Sequence, residues 1–423
     1  MRTKLIYIML DGAGDRPSPV LNGKTPLEYA NTPNMDLLVR NAKLGLIYTV
    51  KRGIAPESDV AVLSMLGYDP FKYHTGRGPI EAYGAGIPLN DGDLAVRCNF
   101  ATASPNGKIL DRRVGRSLSS EEASILGEAI NRLVKLESYP ASFTFKSTIG
   151  HRAVLVIRST IPLSSSITNT DPSYAKLEGL GIAKIPLELK VEECKPLDDS
   201  LTSKISAQLI NEFTVKSRLI LEEHPINLKR ASKGLLKANI ILTRDAGNRL
   251  PKLFNINERY KVRFACLAEM PVEIGIAKLA GMDVVNIPPP TGNVKLDSEL
   301  KVKALLNAYR DFDCFYVHIK GPDEPGHDGD AKLKAELISV IDEAFFGELL
   351  KALNLNECLI CVTADHATPC DLRAHSDDPV PLMIAGSVKG RGASKFCEST
   401  CKSGELGLLN RGVDLIPMLM GLL

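Results

Sequence analysis

Short apolar runs that end abruptly in glycine and acidic residues recur along this chain. KLIYIML (4–10) meets DGAGDRP, and DCFYVHIK (313–320) runs into GPDEPGHDGD. ECLICVTADH (357–366) continues into ATPCDLRAH, and VPLMIAG (380–386) into glycine- and serine-rich sequence. An unbroken apolar run that stops at Gly and Asp is the mark of a strand covered on both faces that delivers the chain into a loop. Between these runs lie stretches with apolar positions at helical spacing, such as 331–353 (AKLKAELISVIDEAFFGELLKAL). Strand, loop, helix, strand predicts an α/β domain with a mostly parallel sheet flanked by helices. Such sheets bind ligands beyond the carboxyl ends of their strands, where these polar residues are expected.

The middle of the chain follows another pattern. SFTFKS (142–147), HRAVLVIRS (151–159) and AKIPLELKV (183–191) are short strand-like runs with polar spacers. They predict a smaller α+β domain inserted in the first. The outer pattern is expected to resume at ANIILTRDAG (238–247) and to continue through RFACLAEMP (263–271) and MDVVNIPPP (282–290). The predicted organisation is therefore 1–86, first part of the outer domain; 87–235, inserted domain; and 236–423, second part of the outer domain.

With 423 residues the chain is too long for one ordinary core, and length alone predicts two or three domains. A net charge of +2 argues against a nucleic-acid partner, which would need a basic face, but leaves room for a small anionic substrate held by a few clustered arginines. KLIYIML is too short to span a bilayer and no small-residue cleavage site follows it, so a cytoplasmic protein without a membrane partner is expected. Nine scattered cysteines, an odd number, do not form a disulfide framework. Cys358 and Cys361 fall in a strand-like run and read as packing residues. Cys397 and Cys401 lie in polar sequence and are open to pairing, with free thiols expected.

The chemistry concentrates at the strand ends. Asp323 and His327 form D-x-x-x-H in a Gly/Pro-rich loop, Asp365 and His366 are adjacent, His375 follows, and Asp11 ends the first run. Mixed carboxylate and imidazole ligands suit Mn, Zn, Co or Fe, whereas Ca and Mg cages are built from oxygen. Six such residues exceed the needs of one tetrahedral site and predict two metal ions a few ångströms apart, as in phosphoryl-transfer enzymes. Singly, an Asp after a strand is usually a turn or cap, and His318, His74 and His224 are read as structural, with His151 kept as a substrate-site candidate. Ser58, in GIAPESDVAVLSMLGYDP (53–70), opens a helical pattern (Val60, Leu63, Leu66). It is either a helix cap or a nucleophile at a helix N-terminus, where an anion is stabilised and a metal ion lowers the serine pKa.

With these residues in hand, the chain closely resembles the archaeal-type, cofactor-independent phosphoglycerate mutases of the alkaline phosphatase superfamily. The resemblance rests on MLDGAGDRP (9–17), PESDVAVLSMLGYDP (56–70), GRGPIEAYGAG (76–86), RCNFAT (97–102), DRRVGR (111–116), TDP (170–172), IKGPDEPGHDGD (319–330), TADH (363–366) and HSDDPVP (375–381). GRGPIEAYGAG lacks the Lys-Ser/Thr of a nucleotide-binding P-loop. The resemblance implies an alkaline-phosphatase-like sheet and the interconversion of 3-phosphoglycerate and 2-phosphoglycerate in glycolysis and gluconeogenesis. It implies two divalent ions, Mn first and Mg, Co or Zn as substitutes, and no requirement for 2,3-bisphosphoglycerate. Asp11, Ser58, Asp365 and His366 would hold one ion, and Asp323, His327 and His375 the other. Ser58 would carry the phosphoryl group and Lys320 would neutralise it. Arg97, Arg112, Arg113, Arg116, His151 and Arg152 would hold the phosphoglycerate, and Asp111 would exchange protons between its hydroxyls. The rival expectations are another phosphatase or phosphomutase of the same superfamily, which shares the metal core, and a metal-stabilised binding protein without turnover. The apolar side of 331–353 serves either the core or a homo-oligomer.

Overall fold

The computed structural model describes residues 3–177, 180–184 and 186–423. In chain order the strands are β1 (Lys4–Leu10), β2 (Lys43–Ile47), β3 (Leu94–Ala103), β4 (Ile109–Asp111), β5 (Ala141–Ser147), β6 (Arg152–Ser159), β7 (Tyr174–Leu177), β8 (Leu180–Ala183), β9 (Ile240–Gly247), β10 (Phe264–Leu267), β11 (Asp283–Val284), β12 (Cys314–Ile319), β13 (Cys358–Ala364), β14 (Val380–Gly386) and β15 (Gly407–Leu409). The chain forms two compact units. The first comprises Met1–Tyr73, Leu253–Glu269 and Ile276–Leu423, and the second His74–Lys252 and Met270–Gly275.

The first unit is an α/β layer structure around an eight-stranded sheet of order β11-β10-β12-β1-β13-β14-β2-β15. The expected apolar runs are its central strands. β12, β1 and β13 are parallel neighbours, and every residue of β12 and β13 is buried. Complete burial explains why these runs show no alternation of polar and apolar positions. The sheet is mostly parallel, as expected, and the exception is β14, which runs antiparallel to both β13 and β2. A parallel partner would need a long crossover, usually a helix, and the segment 365–379 that joins β13 to β14 contains none.

The expected helix over 331–353 is interrupted. Ala331–Ile341 and Gly347–Ala352 are α-helical, and Asp342–Phe346 between them is a π-helical turn. The turn serves a purpose at Asp342. Its buried carboxylate accepts hydrogen bonds from the backbone N–H groups of Asn34 (3.0 Å) and Met35 (2.7 Å), the free donors at the start of the helix Pro33–Val39. Ile338, Ile341, Phe345, Phe346 and Leu349 are buried, so the apolar side of this segment belongs to the core. All nine cysteines are free, as expected, and buried, including Cys397 and Cys401, for which pairing had been left open.

The second unit is α+β. Its main sheet has the order β4-β3-β6-β5, with β9 also paired to β3, all antiparallel. Val96, Cys98, Phe100, Leu155 and Ile157 face a core shared with Leu126 and Ile130 of the helix Ser120–Leu133 and Leu209, Ile210 and Phe213 of the helix Leu201–Glu222. The segment 238–247, expected to restart the outer domain, is β9 of this unit. The unit accordingly runs beyond the expected limits 87 and 235 in both directions. Periodicity shows that a run is buried, but not which sheet buries it. GRGPIEAYGAG forms the helix Arg77–Gly84 laid against β3. A Cβ on Gly78 would lie 2.3 Å from the carbonyl oxygen of Ala95, so only glycine allows this approach. AKIPLELKV is not a strand past Ala183: Lys190 makes an isolated bridge with Lys108, and Ile185 lies outside the described residues. Among the described residues no helix is long and apolar enough to cross a membrane.

Candidate functional site

Parallel pairing assembles the centre of the site in the first unit. Leu10 is in register with Ile319 of β12 and with Ala364 of β13. The next residue of each strand therefore leaves the sheet abreast of the others, and these are Asp11, Lys320 and Asp365. Lys320 Nζ lies 3.2 Å from Asp11 Oδ2, and Gly12 N–H donates to Asp365 Oδ1 at 3.0 Å. Gly12 has φ +61°, and a Cβ there would sit 2.7 Å from Asp323 Oδ1. Both the turn and the close approach demand glycine.

The other candidate ligands reach this edge by different routes. Asp323 and His327 do not lie on an open loop as expected. They belong to the short helix Asp323–Asp328, closed by left-handed Gly329. Their i,i+4 spacing puts both on one helical face, with His327 Nε2 3.5 Å from Asp323 Oδ1. His375 precedes β14. Because β14 is antiparallel, its amino end meets the carboxyl ends of β1 and β13, and His375 Nε2 lies 3.5 Å from Asp323 Oδ1.

Each imidazole is oriented by a hydrogen bond on its far nitrogen. His375 Nδ1 faces the carbonyl of Pro56 at 2.8 Å, and His327 Nδ1 that of Arg373 at 3.1 Å. A carbonyl only accepts, so both rings carry a proton on Nδ1 and turn Nε2 toward Asp323. Against the effect of burial, Asp323 lifts His375 to about 9, and a bound cation would take the place of its Nε2 proton. For His366 the partner is Thr368. The Thr368 hydroxyl donates to Asp323 Oδ1 (2.7 Å) and can therefore accept from His366 Nδ1–H (3.0 Å). This leaves His366 Nε2 facing Asp365 Oδ2 at 3.3 Å and Asp11 Oδ1 at 3.6 Å. Thr368 thus ties the two acidic clusters together, although no motif marked it. Its signal in the sequence is a hydroxyl two residues after His366. Replacing Thr368 by valine keeps its shape and removes the hydroxyl. Affinity for a divalent ion should fall about 10- to 100-fold, measured by Mn(II) titration followed by electron paramagnetic resonance. Unchanged affinity would remove Thr368 from this role.

His318, expected to be structural only, is fully buried behind the site. Its Nε2 lies 3.7 Å from Asp11 Oδ1 and 3.8 Å from Asp365 Oδ2, while its Nδ1 meets the Tyr316 hydroxyl at 2.7 Å. Ser58 is the first residue of the helix Ser58–Met65, whose N-cap is Glu57. Ser58 therefore stands one position inside the cap site, which Glu57 occupies without a side-chain capping bond, and Ser58 Oγ lies 3.4 Å from His366 Nε2.

The electrostatics fit cations. Burial raises the carboxyl of Asp11, but Lys320 and His318 outweigh it and hold this group below the ordinary carboxylate range. Burial and the charge of Asp11 push Asp365 well above it. Burial and His375 keep His366 neutral, as a ligand must be. Asp11 Oδ1 and Asp365 Oδ2 are buried with no hydrogen-bond partner among the described residues. An ion held by Asp11, Asp365 and His366 would satisfy both oxygens. Asp323, His327 and His375 form a second group, and the ligand atoms within each group lie within 4.8 Å of one another. The donor set fits two divalent ions.

The basic residues expected at the substrate lie in the second unit. His151 is buried, and its pKa falls to about 2 through burial and the charges of Arg152, Arg113, Arg97 and Arg116. Four of the expected arginines thus surround one neutral histidine. Arg112 instead forks onto Asp171 of the TDP motif, at 3.0 and 2.6 Å. Asp111 Oδ1 accepts from the N–H groups of Arg113 (2.7 Å) and Gly115 (2.8 Å). It closes a turn in which Val114, Gly115 and Arg116 are all left-handed, with φ of 55°, 57° and 54°. Left-handed valine is strained and is tolerated where the surroundings enforce it; here the Val114 side chain is fully buried.

A family model described as 2,3-bisphosphoglycerate-independent phosphoglycerate mutase matches residues 40–227. A protein of that name from Aeropyrum pernix is 44% identical over 427 residues, covering 99% of each chain. One from Thermococcus kodakarensis is 40% identical, covering 100% of this chain and 98% of the relative. Among solved structures, the PH0037 protein from Pyrococcus horikoshii superposes with a TM-score of 0.77 at 34% identity, covering 100% of this chain and 97% of that one. A cofactor-independent phosphoglycerate mutase from Thermoplasma acidophilum gives a TM-score of 0.59 at 31% identity, with 99% of each chain covered. Similarity of this degree along the whole chain shows that it belongs to the 2,3-bisphosphoglycerate-independent phosphoglycerate mutase family.

Proposed function

We propose that this enzyme interconverts 3-phosphoglycerate and 2-phosphoglycerate through a phosphoserine at Ser58, with two divalent ions, Mn first among them, at its two acidic clusters. The observation that carries this reading is the placement of Ser58 Oγ, at a helix start and 3.4 Å from His366 Nε2. Asp11, Ser58, Asp365 and His366 would hold one ion, and Asp323, His327 and His375 the other. When bound, the ions supply positive charge that lowers the serine pKa and stabilises the transferring phosphoryl group. Ser58 Oγ, deprotonated, forms a bond to phosphorus as the bond to the glycerate O3 breaks, and O3 takes a proton from Asp111. Lys320 stabilises the charge that develops on the phosphoryl oxygens. The glycerate stays bound, held by Arg97, Arg112, Arg113, Arg116, Arg152 and His151. Its O2 hydroxyl then takes the phosphoryl group as the Ser58 Oγ–phosphorus bond breaks, and the O2 proton passes to Asp111. Asp111 is assigned the proton exchange between the two hydroxyls. Asp111→Asn keeps an acceptor for the two backbone bonds, so this assignment requires kcat to fall about 100-fold or more, and unchanged kcat rejects it. Nine free thiols agree with a reducing, cytoplasmic setting.

The test is direct. Protein reconstituted with Mn is given 3-phosphoglycerate without 2,3-bisphosphoglycerate, and both 2-phosphoglycerate and free phosphate are followed. Formation of 2-phosphoglycerate with little phosphate is expected. Phosphate release without the isomer would keep the metal site and reject the mutase.

A further inference from the structure

We propose that His318, read from the sequence as structural, is a positioning residue for the ion assigned to Asp11, Ser58, Asp365 and His366. Its Nε2–H holds the carboxylates of Asp11 and Asp365 side by side, and Tyr316 fixes the ring that carries this donor. The inference rests on the two-ion reading proposed above and concerns the first unit alone.

Three strands build this arrangement in layers. Tyr7 of β1 is in register with Tyr316 of β12 and Cys361 of β13, and Met9 with His318 and Thr363. Successive residues of a strand alternate between its faces. Tyr316 and His318 therefore share one face with Tyr7 and Met9, and one step further that face leads to Asp11 and Asp365. The helix Ser58–Met65 approaches from the same side, since the Tyr7 hydroxyl donates to the Met65 carbonyl at 3.3 Å. His318 thus lies one layer beneath the acidic pair and, like Tyr316, is fully buried.

A buried imidazole has two nitrogens to satisfy. Nδ1 of His318 meets the Tyr316 hydroxyl at 2.7 Å. Nε2 lies 3.7 Å from Asp11 Oδ1 and 3.8 Å from Asp365 Oδ2. A lone pair aimed at two carboxylate oxygens would be repelled, so the proton sits on Nε2 and Nδ1 accepts from the tyrosine. The N–H stands almost evenly between the two oxygens, at more than the length of a close hydrogen bond. Its pull is therefore electrostatic, and in a dry layer such a pull is screened little. It offsets the mutual repulsion of two carboxylates that have to face one cation together.

The backbone under the ring is fixed as well. Lys301, itself buried in the helix Val294–Ala308, donates from Nζ to the His318 carbonyl and lies 2.5 Å from Glu269 Oε1. Glu269 follows β10, the parallel neighbour of β12, so this ion pair ties the carboxyl ends of the two strands together. A merely structural role would not call for an imidazole here. An apolar side chain would fill the same layer beside Met9 without the cost of burying two polar nitrogens. The polar ring is explained by what its Nε2–H does for the two carboxylates, and partners of ligating groups tune ion affinity in this way.

The experiment titrates Mn(II) into the wild type, His318→Leu, His318→Gln and Tyr316→Phe, each checked for melting temperature, with free Mn followed by electron paramagnetic resonance. Glutamine can offer an N–H near the position of Nε2, leucine cannot, and phenylalanine removes only the hydroxyl that sets the tautomer. His318→Leu should lower affinity about 10- to 100-fold at one of the two Mn sites and leave the other nearly unchanged. Glutamine should recover part of this loss, and Tyr316→Phe should weaken the same site about threefold or more. If His318→Leu does not fold, Tyr316→Phe decides. Affinity within about twofold of wild type at both sites in the deciding variant overturns the proposal. So does an equal loss at both sites, which marks general destabilisation, and so does glutamine binding no more tightly than leucine. A wild type that binds one Mn or none would instead reject the two-ion reading, so the two failures are distinct.

Discussion

Replacing Ser58 by alanine should lower the mutase rate on the order of 10⁴-fold or more, the scale on which loss of a catalytic nucleophile is felt. The fold should survive. Ser58 begins the helix Ser58–Met65 without capping it, since Glu57 occupies the cap position and Ser58 makes no capping hydrogen bond. The deletion removes one hydroxyl, and the ion site retains the two carboxylates and the imidazole grouped with it. Melting temperature should change little, Mn binding should persist in weakened form, and the phosphoprotein trapped by rapid acid quench of the wild type should be missing. A Ser58→Ala protein with full mutase activity would sink the nucleophile assignment outright.

Replacing Lys334 by methionine should destabilise the first unit by about 3–5 kcal/mol, the range found when one partner of a buried ion pair is removed. Lys334 belongs to the helix Ala331–Ile341 and is fully buried. Its Nζ lies 2.8 Å from Asp15 Oδ2, 3.0 Å from the Gly14 carbonyl and 2.9 Å from the Thr368 carbonyl. One ammonium group therefore pins the loop after β1 to the loop after β13, next to the residues that carry the acidic clusters. Methionine would fill most of the space but leave a carboxylate and two carbonyls without their donor. Asp15 also accepts from the N–H groups of Arg16 and Cys370, and asparagine can still accept these bonds. Adding Asp15→Asn should therefore recover part of the loss by removing the unpaired charge. Urea unfolding midpoints of the single and double variants decide the matter. A single variant within about 0.5 kcal/mol of wild type, the range of ordinary surface changes, would show that Lys334 is not the clamp described.

The candidate site was legible to an unusual extent, because its residues stand at strand ends. Asp11, Lys320 and Asp365 could be found from apolar runs that stop, since a strand buried on both faces has to be continuously apolar. The pairing of Asp323 with His327 was visible as a spacing, although the helix that gives the spacing its meaning was not, because Pro325 and the glycines around it read as loop. What escaped notice were residues that act through partners far away in sequence. Thr368 matters because it stands between His366 and Asp323, and His318 because β12 lies beside β1. Lys334 reads as one more charge on an amphipathic helix and is in fact among the most deeply buried groups of the chain.

By itself the sequence determined that the chain has an α/β unit with a second unit inserted in it, that carboxylates and imidazoles gather at strand ends, and that Ser58 opens a helix. These are properties of local pattern, and local pattern is set by which faces must be covered and where the backbone must turn. Only the tertiary structure decided the direction of β14, which brings His375 to the same edge as Asp11 and Asp365, and the sheet to which β9 belongs. It also decided the proton positions on the three imidazoles, because those depend on carbonyls and a hydroxyl delivered by other segments. Strand pairing and second-layer hydrogen bonds are set by distant partners, and periodicity along one segment carries no information about which partner will arrive.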